Sequence, residues 1–486
     1  MPQPRRADCL WSVLCAVTAA LSSAQAGAQA PATPDKPWPI PQDIIARGAQ
    51  QHFDVRGLEP KKRYGLVDLI DLAQRNNPQT RAAWEAAREA AAAEGLVESS
   101  YLPQISLQAL GGLEHTPLPA PKNLVPEGFF VSNAREIIPS VALKWLLFDF
   151  GQRKAKLEAA RADSFVANVS FTGTHQGLIY QVSQAYFDLG AARGRLRAAQ
   201  TALKTALTTQ DATTAKRNNG LATIVSVAQA ERQTAQARYG LTAAEGAERN
   251  TYASLIASLG IPADTVLDVV DSNELPLPNQ PVQNVSAAIR ESLANRPDVI
   301  AAIGKVDAAR SSLDAEQRSR YPVIDVSAHA FQNAGWVSSD GKPYSSVNRP
   351  GGNILFSFSV PLFDGGLRSS RISIARSKVR EAEEKLDQTR DTAAQQVVKA
   401  YNGLVTSLAE YEASTELSRA AHTAYDAALR SYRQGVGTYT DVATEENAVV
   451  QADTQVEDAR ASAHTAAAAL AFAMGTPADS NDGTAP

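Results

Sequence analysis

Two hydrophobic rhythms alternate along the chain. Residues 66–100 and 285–319 are rich in Ala, Glu and Arg, a composition that favours helix. Each segment stops short of a proline, Pro103 or Pro322, whose ring disfavours helical geometry in its predecessor. The period then falls to two. Ile105, Leu107 and Ala109 alternate with Gln104, Ser106 and Gln108, and Ile324, Val326 and Ala328 with Asp325, Ser327 and His329. The return segments alternate too: Val141, Leu143, Trp145 and Leu147 in one copy, Phe356, Phe358 and Val360 in the other. The stretches between, 114–137 and 333–352, carry Pro, Gly and Ser and are expected to be long hairpin loops. Strands of about ten residues with one apolar face suit a transmembrane barrel. A soluble two-stranded ribbon would show the same alternation.

The helical period returns and persists. It predicts one helix over 153–217 and another over 368–433, each about 100 Å long at the α-helical rise. Val182, Tyr186 and Leu189 follow 3,4 spacing along the first, as Val397, Tyr401 and Leu404 do along the second, which is coiled-coil packing. A tight turn at Gly220, or at Gly435 to Gly437, sends the chain back along a further helix to Gly260 or Gly475.

The two halves are therefore copies. Asp149-Phe150-Gly151 reads as the magnesium-binding tripeptide of protein kinases, but the other kinase elements are absent upstream. What recurs 215 positions later is the wider pattern, Phe148, Asp149, Gly151, Arg153 against Phe363, Asp364, Gly366, Arg368. Upstream the offset is 219, matching Asn77-Pro78 to Arg296-Pro297 and Pro103 to Pro322. The predicted organisation is a signal peptide at 1–26, a Pro-rich arm at 27–63, a first repeat at 64–262, a connector at 263–282, a second repeat at 283–477 and a short tail at 478–486.

The signal peptide rests on Arg5 and Arg6, an apolar run from Cys9 to Leu21, and the site Ala24-Gln25-Ala26. Cleavage after Ala30 would place Pro31 next to the cut, so cleavage after Ala26 is expected. Both cysteines, Cys9 and Cys15, fall inside that segment, leaving no disulfide or thiolate chemistry in the mature chain. A formal net charge of −4 advertises no nucleic-acid surface. No apolar run reaches the length of a membrane-spanning helix, so membrane insertion would require a barrel. The six histidines lack metal-ligand spacing, and no P-loop, nucleophile elbow or dinucleotide fingerprint is present. No enzymatic activity and no cofactor are expected.

Four strands cannot close a barrel, and open strand edges are not tolerated in lipid, so the barrel must be shared between chains. At this point the sequence resembles the TolC-like outer-membrane efflux and type I secretion factors. The resemblance rests on the duplicated helix starts at Pro78 and Pro297, the helix-to-strand prolines, the two LFD-x-G stretches, YRQGVGTYTDV at 432–442, and the paired G-x-P ends. It implies a mainly α fold with a transmembrane β-barrel portion, in which four strands per chain complete a 12-stranded barrel as a homotrimer above a coiled-coil tunnel. It also implies contacts with outer-membrane lipid, a periplasmic adaptor and an inner-membrane transporter, with passive export through the duct. Phe148 and Phe363, with Trp145, end apolar strands where membrane-interface aromatics belong. Acidic residues at the helix tips line the family's periplasmic entrance. Asp441 matches the first such aspartate, the second falls at Thr444, and Glu445 and Glu446 follow. The family's turn tyrosine is kept as Tyr432, its turn arginine falls at Gly437, and the first-repeat equivalent of Asp441 is Ser226. Asp441 also suits a helix start through the helix dipole alone. A periplasmic coiled-coil adaptor or scaffold without a pore is the alternative reading.

Overall fold

The computed structural model describes residues 55–476, apart from 60, 124, 282, 283 and 341. The proposed signal peptide, most of the Pro-rich arm and the C-terminal tail lie outside the described residues. A short strand β1 (Arg63–Tyr64) leads into α1 (Leu66–Asn76) and α2 (Pro78–Glu98), then β2 (Gln104–Pro119) and β3 (Phe129–Phe148), the long α3 (Gln152–Asn218) and its return α4 (Ile224–Leu259). After β4 (Asp268–Val269) the second repeat runs through α5 (Val285–Asn295), α6 (Pro297–Arg318), β5 (Val323–Ser339), β6 (Ser345–Ser359), α7 (Leu367–Gln434) and α8 (Tyr439–Met474). Among the described residues no helix is long and apolar enough to cross a membrane.

The segments 66–100 and 285–319, each read as one helix, are two. Asn77 and Arg296 adopt extended backbone between them, and a proline occupies the first position of the second helix in each case. Proline suits that position because its missing N–H would have no partner there. The Asn77 side chain caps α2 by accepting from the Gln79 N–H at 2.8 Å, while its amide donates to the Ser258 carbonyl at 2.9 Å. One side chain thus breaks a helix and fastens the end of α4.

The four long strands form one antiparallel sheet in the order β2-β3-β5-β6, so the repeats meet at the β3–β5 pair. The expected loops at 114–137 and 333–352 are much shorter. Pairing between β2 and β3 continues to Pro119 opposite Phe129, and between β5 and β6 to Val337 opposite Ser345. Prolines in these stretches suggested loop, yet Pro117, Pro119 and Pro350 lie on the outer strands β2 and β6, where one side needs no ladder donor. Pro139, in the inner strand β3, falls where the β3–β5 pairing skips from Ile137 to Ser140.

The principal core gathers around the middle of α3. Leu69, Leu72, Val182, Tyr186, Leu255 and Ile256 are buried together there, roofed by the small parallel β1–β4 pair. Sequence periodicity missed that two-residue pair, which is too short to show a period. Arg195 joins Asp458 and Arg197 joins Asp271, each at 2.6 Å, tying α3 to the second repeat and to the connector.

Candidate functional site

Both helix tips turn on a left-handed glycine, Gly220 or Gly435, and restart on a threonine cap, Thr223 or Thr438. Gly435 ends α7 in the left-handed conformation at φ +83°, and Thr438 caps α8. The Thr438 hydroxyl accepts from the Asp441 N–H at 3.3 Å, while the Asp441 carboxylate accepts from the Thr438 N–H at 2.9 Å and its hydroxyl at 2.8 Å. This reciprocal capping box satisfies donors that a helix start leaves open. The Thr438 N–H, and then its hydroxyl, hold the Asp441 carboxyl below its usual pKa. In the first repeat Thr223 caps α4, accepting from the Ser226 N–H at 3.1 Å. Ser226 thus occupies the Asp441 place without a charge.

One turn inward the four helices share a small core. Tyr432 of α7, Tyr439, Val442 and Ala443 of α8 and Ala230 of α4 are buried together, with Tyr425 packed against them. The Tyr432 hydroxyl donates to Thr213 of α3 at 3.2 Å. Lys216, also on α3, donates to the Tyr432 carbonyl and places its ammonium 3.9 Å from the ring centre. Gln233 donates to Asn447 at 2.8 Å, joining α4 to α8. Glu446 lies in the same region, 3% exposed, with its Oε2 lacking a hydrogen-bond partner. Burial pushes its pKa up to about 7. Burial, and then the nearby Glu446, push the Tyr439 hydroxyl up to about 12.

Of the sequence-nominated tip residues, Tyr432 and Glu446 are drawn into this interior. Asp441 is exposed, and Ser226 and Glu445 are half-buried at the helix starts. Sequence reasoning passed over Lys216 and the burial of Glu446. The signal for Glu446 was present: Val442, Ala443 and Glu446 fall three, four and seven positions after Tyr439, which puts the glutamate on the apolar stripe of α8.

At the other end of the long helices the duplicated LFD-x-G-x-R stretch makes the strand-to-helix junction. Gly151, at φ +90°, begins α3. The Asp149 carboxylate accepts from the Arg153 N–H at 2.7 Å and pairs with its guanidinium at 3.2 Å. Arg153 also donates to the Ser100, Leu146 and Leu147 carbonyls and lies over the Tyr101 ring. Asp364 and Arg368 repeat the pair at 2.7 Å, reaching the Ser319 carbonyl, but stand more open to solvent. Of the aromatics, Trp145 donates to the Tyr101 carbonyl at 2.9 Å, Phe148 stacks edge-on against Phe150, and Phe363 is 92% exposed.

The family model for outer membrane efflux proteins matches this chain twice, over residues 69–261 and 288–476. The chain is 28% identical to the protein CyaE of Bordetella pertussis over 374 residues, 76% of each chain. It is 24% identical to the outer membrane protein TolC of Escherichia coli over 408 residues, 81% of this chain and 79% of that one. Its fold matches a crystal structure of CusC with a TM-score of 0.73 at 18% identity, covering 88% of this chain and 97% of that one.

Proposed function

The chain belongs to the outer membrane efflux protein family, and on that premise we propose that three copies close a single barrel and a single helical tunnel. It is an outer-membrane channel of the efflux and secretion type. The observation that carries the trimer is the four-stranded sheet with β2 and β6 as its two outer strands. Each leaves a row of backbone donors and acceptors without partners in the sheet, a state that hydrocarbon does not tolerate. Pairing β6 of one copy with β2 of the next removes both edges, and three copies supply twelve strands.

On this reading the aromatics Trp145, Phe148 and Phe363 stand at a lipid interface, and the helix tips around Asp441, Ser226 and Glu445 face the periplasm. A periplasmic adaptor and an inner-membrane transporter engage the tips and supply the energy; the duct itself is passive and needs no cofactor. Residues 1–26 direct export through the inner membrane and are removed in its course by cleavage after Ala26. The two repeats, 64–262 and 283–477, each contribute one half of a subunit's wall.

The test is mass and conductance together. Protein extracted in mild detergent should have the mass of a trimer and should form pores in planar bilayers. A monodisperse monomer with no conductance, released from membranes by carbonate, would favour the pore-free scaffold instead.

A further inference from the structure

The internal repeat supplies a template for a joint that a single chain does not contain. Inside the chain, α3 of the first repeat packs against α6 of the second. Pro297 lies against Gly173, where an added Cβ would come within 3.3 Å, and Gly304 lies against Val166 and Phe165, where it would come within 2.7 and 3.2 Å. These two contacts fix an antiparallel register. Applying the repeat offsets, α6 becomes α2 and α3 becomes α7. The equivalent joint therefore lies between α2 of one copy and α7 of its neighbour.

Burial marks the same two faces. Ala301, Gly304, Ala308 and Ala315 are buried on α6, while their equivalents on α2, Ala82, Glu85, Glu89 and Leu96, are exposed. Ala155, Ala159 and Val166 are buried on α3, while Ser370, Ile374 and Glu381 on α7 are exposed. Contacts within each repeat show no such difference: Val299 and Val306 are buried, and so are their equivalents Thr80 and Ala87. Both exposed sets step by three, four or seven residues, so each is one stripe along a helix. These stripes are the faces that α2 and α7 leave uncovered in a single chain.

The chemistry of the two joints differs. Glu85 stands where Gly304 stands, and Arg380 and Glu381 stand where Phe165 and Val166 stand. A glutamate cannot approach as a glycine does, so the helices of the second joint must lie further apart. Extending the register by a turn each way sets Arg81 level with Glu384 and Glu89 level with Arg376, within one residue; Arg161, the equivalent of Arg376, turns instead to Glu94 and Glu98 of its own repeat, but Leu313 and Gln317 stand in their places for Arg376. The charges run plus, minus, minus along α2 as Arg81, Glu85, Glu89 and minus, plus, plus along the opposing α7 as Glu384, Arg380, Arg376, so each stands opposite its complement. Glu381 pairs with Lys385 and Glu85 with Arg88, each on its own helix and exposed; Arg380, bonded there only to the Ser377 hydroxyl, is the charge that can draw Glu85 across the joint.

We infer that neighbouring copies meet through an ion-paired joint, with Arg81, Glu85 and Glu89 of α2 facing Glu384, Arg380 and Arg376 of the next copy's α7. This rests on the trimeric reading proposed above and specifies its interface. The joint within each chain is apolar and close; the joint between chains is polar, wider and salt-sensitive, because exposed ion pairs are screened.

Charge exchange tests it. The variant Glu85→Arg with Glu89→Arg should lose the trimer mass in mild detergent at low salt. Adding Arg376→Glu and Arg380→Glu to the same chain should restore it. Independently, Glu85→Cys with Arg380→Cys should be joined into a covalent trimer by a short bifunctional thiol-reactive cross-linker, which can span a joint too wide for a direct disulfide, since no cysteine lies beyond Cys15 in the sequence. A trimeric wild type whose mass survives the reversal, or a fourfold variant no better than the twofold one, or absence of the covalent trimer, would overturn the assigned joint. A wild type that is monomeric throughout would overturn the trimeric reading itself.

Discussion

The ammonium of Lys216 sits 3.9 Å from the centre of the Tyr432 ring and also donates to the Tyr432 carbonyl, fastening the last turn of one long helix to the last turn of the other. The contact spans the two repeats at the tip that the proposed duct must open. Lys216→Met should therefore raise single-channel conductance, while Tyr432→Phe, which leaves the Lys216 contact but removes the bond to Thr213, should cost about 1 kcal/mol of thermal stability and change conductance less. Equal conductance in wild type and Lys216→Met would mean that this tie does not restrain the opening.

Glu446 gives the tip a pH dependence whose sign is fixed by its environment. Its pKa is raised in the folded chain, to about 7, by burial. The folded state then binds more protons than the unfolded one between the ordinary carboxyl range and about pH 7, so stability falls as pH rises through that window. The loss amounts to about 3 kcal/mol once the group is ionised. The tyrosines that face it, Tyr425 and Tyr439, have raised pKa values and stay neutral throughout. The charged groups near these tyrosines are Asp426 and Arg433 on α7 and Arg232 on α4. Melting temperatures from about pH 5 to about pH 8 should decline for the wild type and stay level for Glu446→Gln. A decline of the same size in both would show that Glu446 is not its source.

The capping role of Asp441 can be separated from the entrance role proposed for it. Its carboxyl is held below the ordinary value by the Thr438 N–H and hydroxyl, so the cap is complete above the usual carboxylate range and is lost as pH falls through the lowered pKa. Three copies of this exposed carboxylate around one axis would attract multivalent cations. Asp441→Asn should reduce cation selectivity and block by divalent ions. Thr438→Ala, which removes the cap partner and keeps the charge, should cost about 1 kcal/mol with selectivity retained. If Glu445→Gln alters selectivity and Asp441→Asn does not, the ring of charge belongs to Glu445.

The two strand-to-helix junctions should differ in sensitivity. Arg153 is buried, paired with Asp149 and bonded to three carbonyls. A lysine reproduces neither the fork nor the stack on Tyr101. Arg153→Lys should cost about 3 kcal/mol, and Arg368→Lys, at the more open second junction, should cost under about 1 kcal/mol. Thermal unfolding of the two variants side by side checks the order, and equal losses would refute it.

The duplication made most of this fold legible. Phe148, Asp149, Gly151 and Arg153 look like nothing in particular until Phe363, Asp364, Gly366 and Arg368 repeat them, and the long helices then follow from their 3,4 seams. The strands were legible only where one face is apolar. Past Leu113 the sequence turns to Glu114, His115 and Thr116, alternation disappears, and the ladder continues through backbone pairing to Asn133 and Ser132 and a side-chain hydrogen bond between His115 and Asn133. At the tips, YRQGVGTYTDV drew attention to Tyr432 and Asp441, and both lie there. Lys216 could not be found by local pattern, because its partner stands 216 residues away.

Each repeat also closes on its own beginning. Gly260, ending α4 at φ +69°, presses against Asn77, where an added Cβ would lie 2.6 Å from Cα; Gly475, ending α8, presses against Arg296 in the same way at 2.9 Å. Ser292 and Arg296 both donate to the Ala473 carbonyl, as Asn77 does to Ser258. Head and tail of each half are thus neighbours, and the connector between halves is not what holds either of them shut. A ring of three such chains is, in its walls, a ring of six half-chains of two alternating kinds. Gene fusion of a once-separate half would leave this geometry unchanged while freeing the two kinds of seam to diverge, one sealed inside a single polypeptide and the other remade at every assembly.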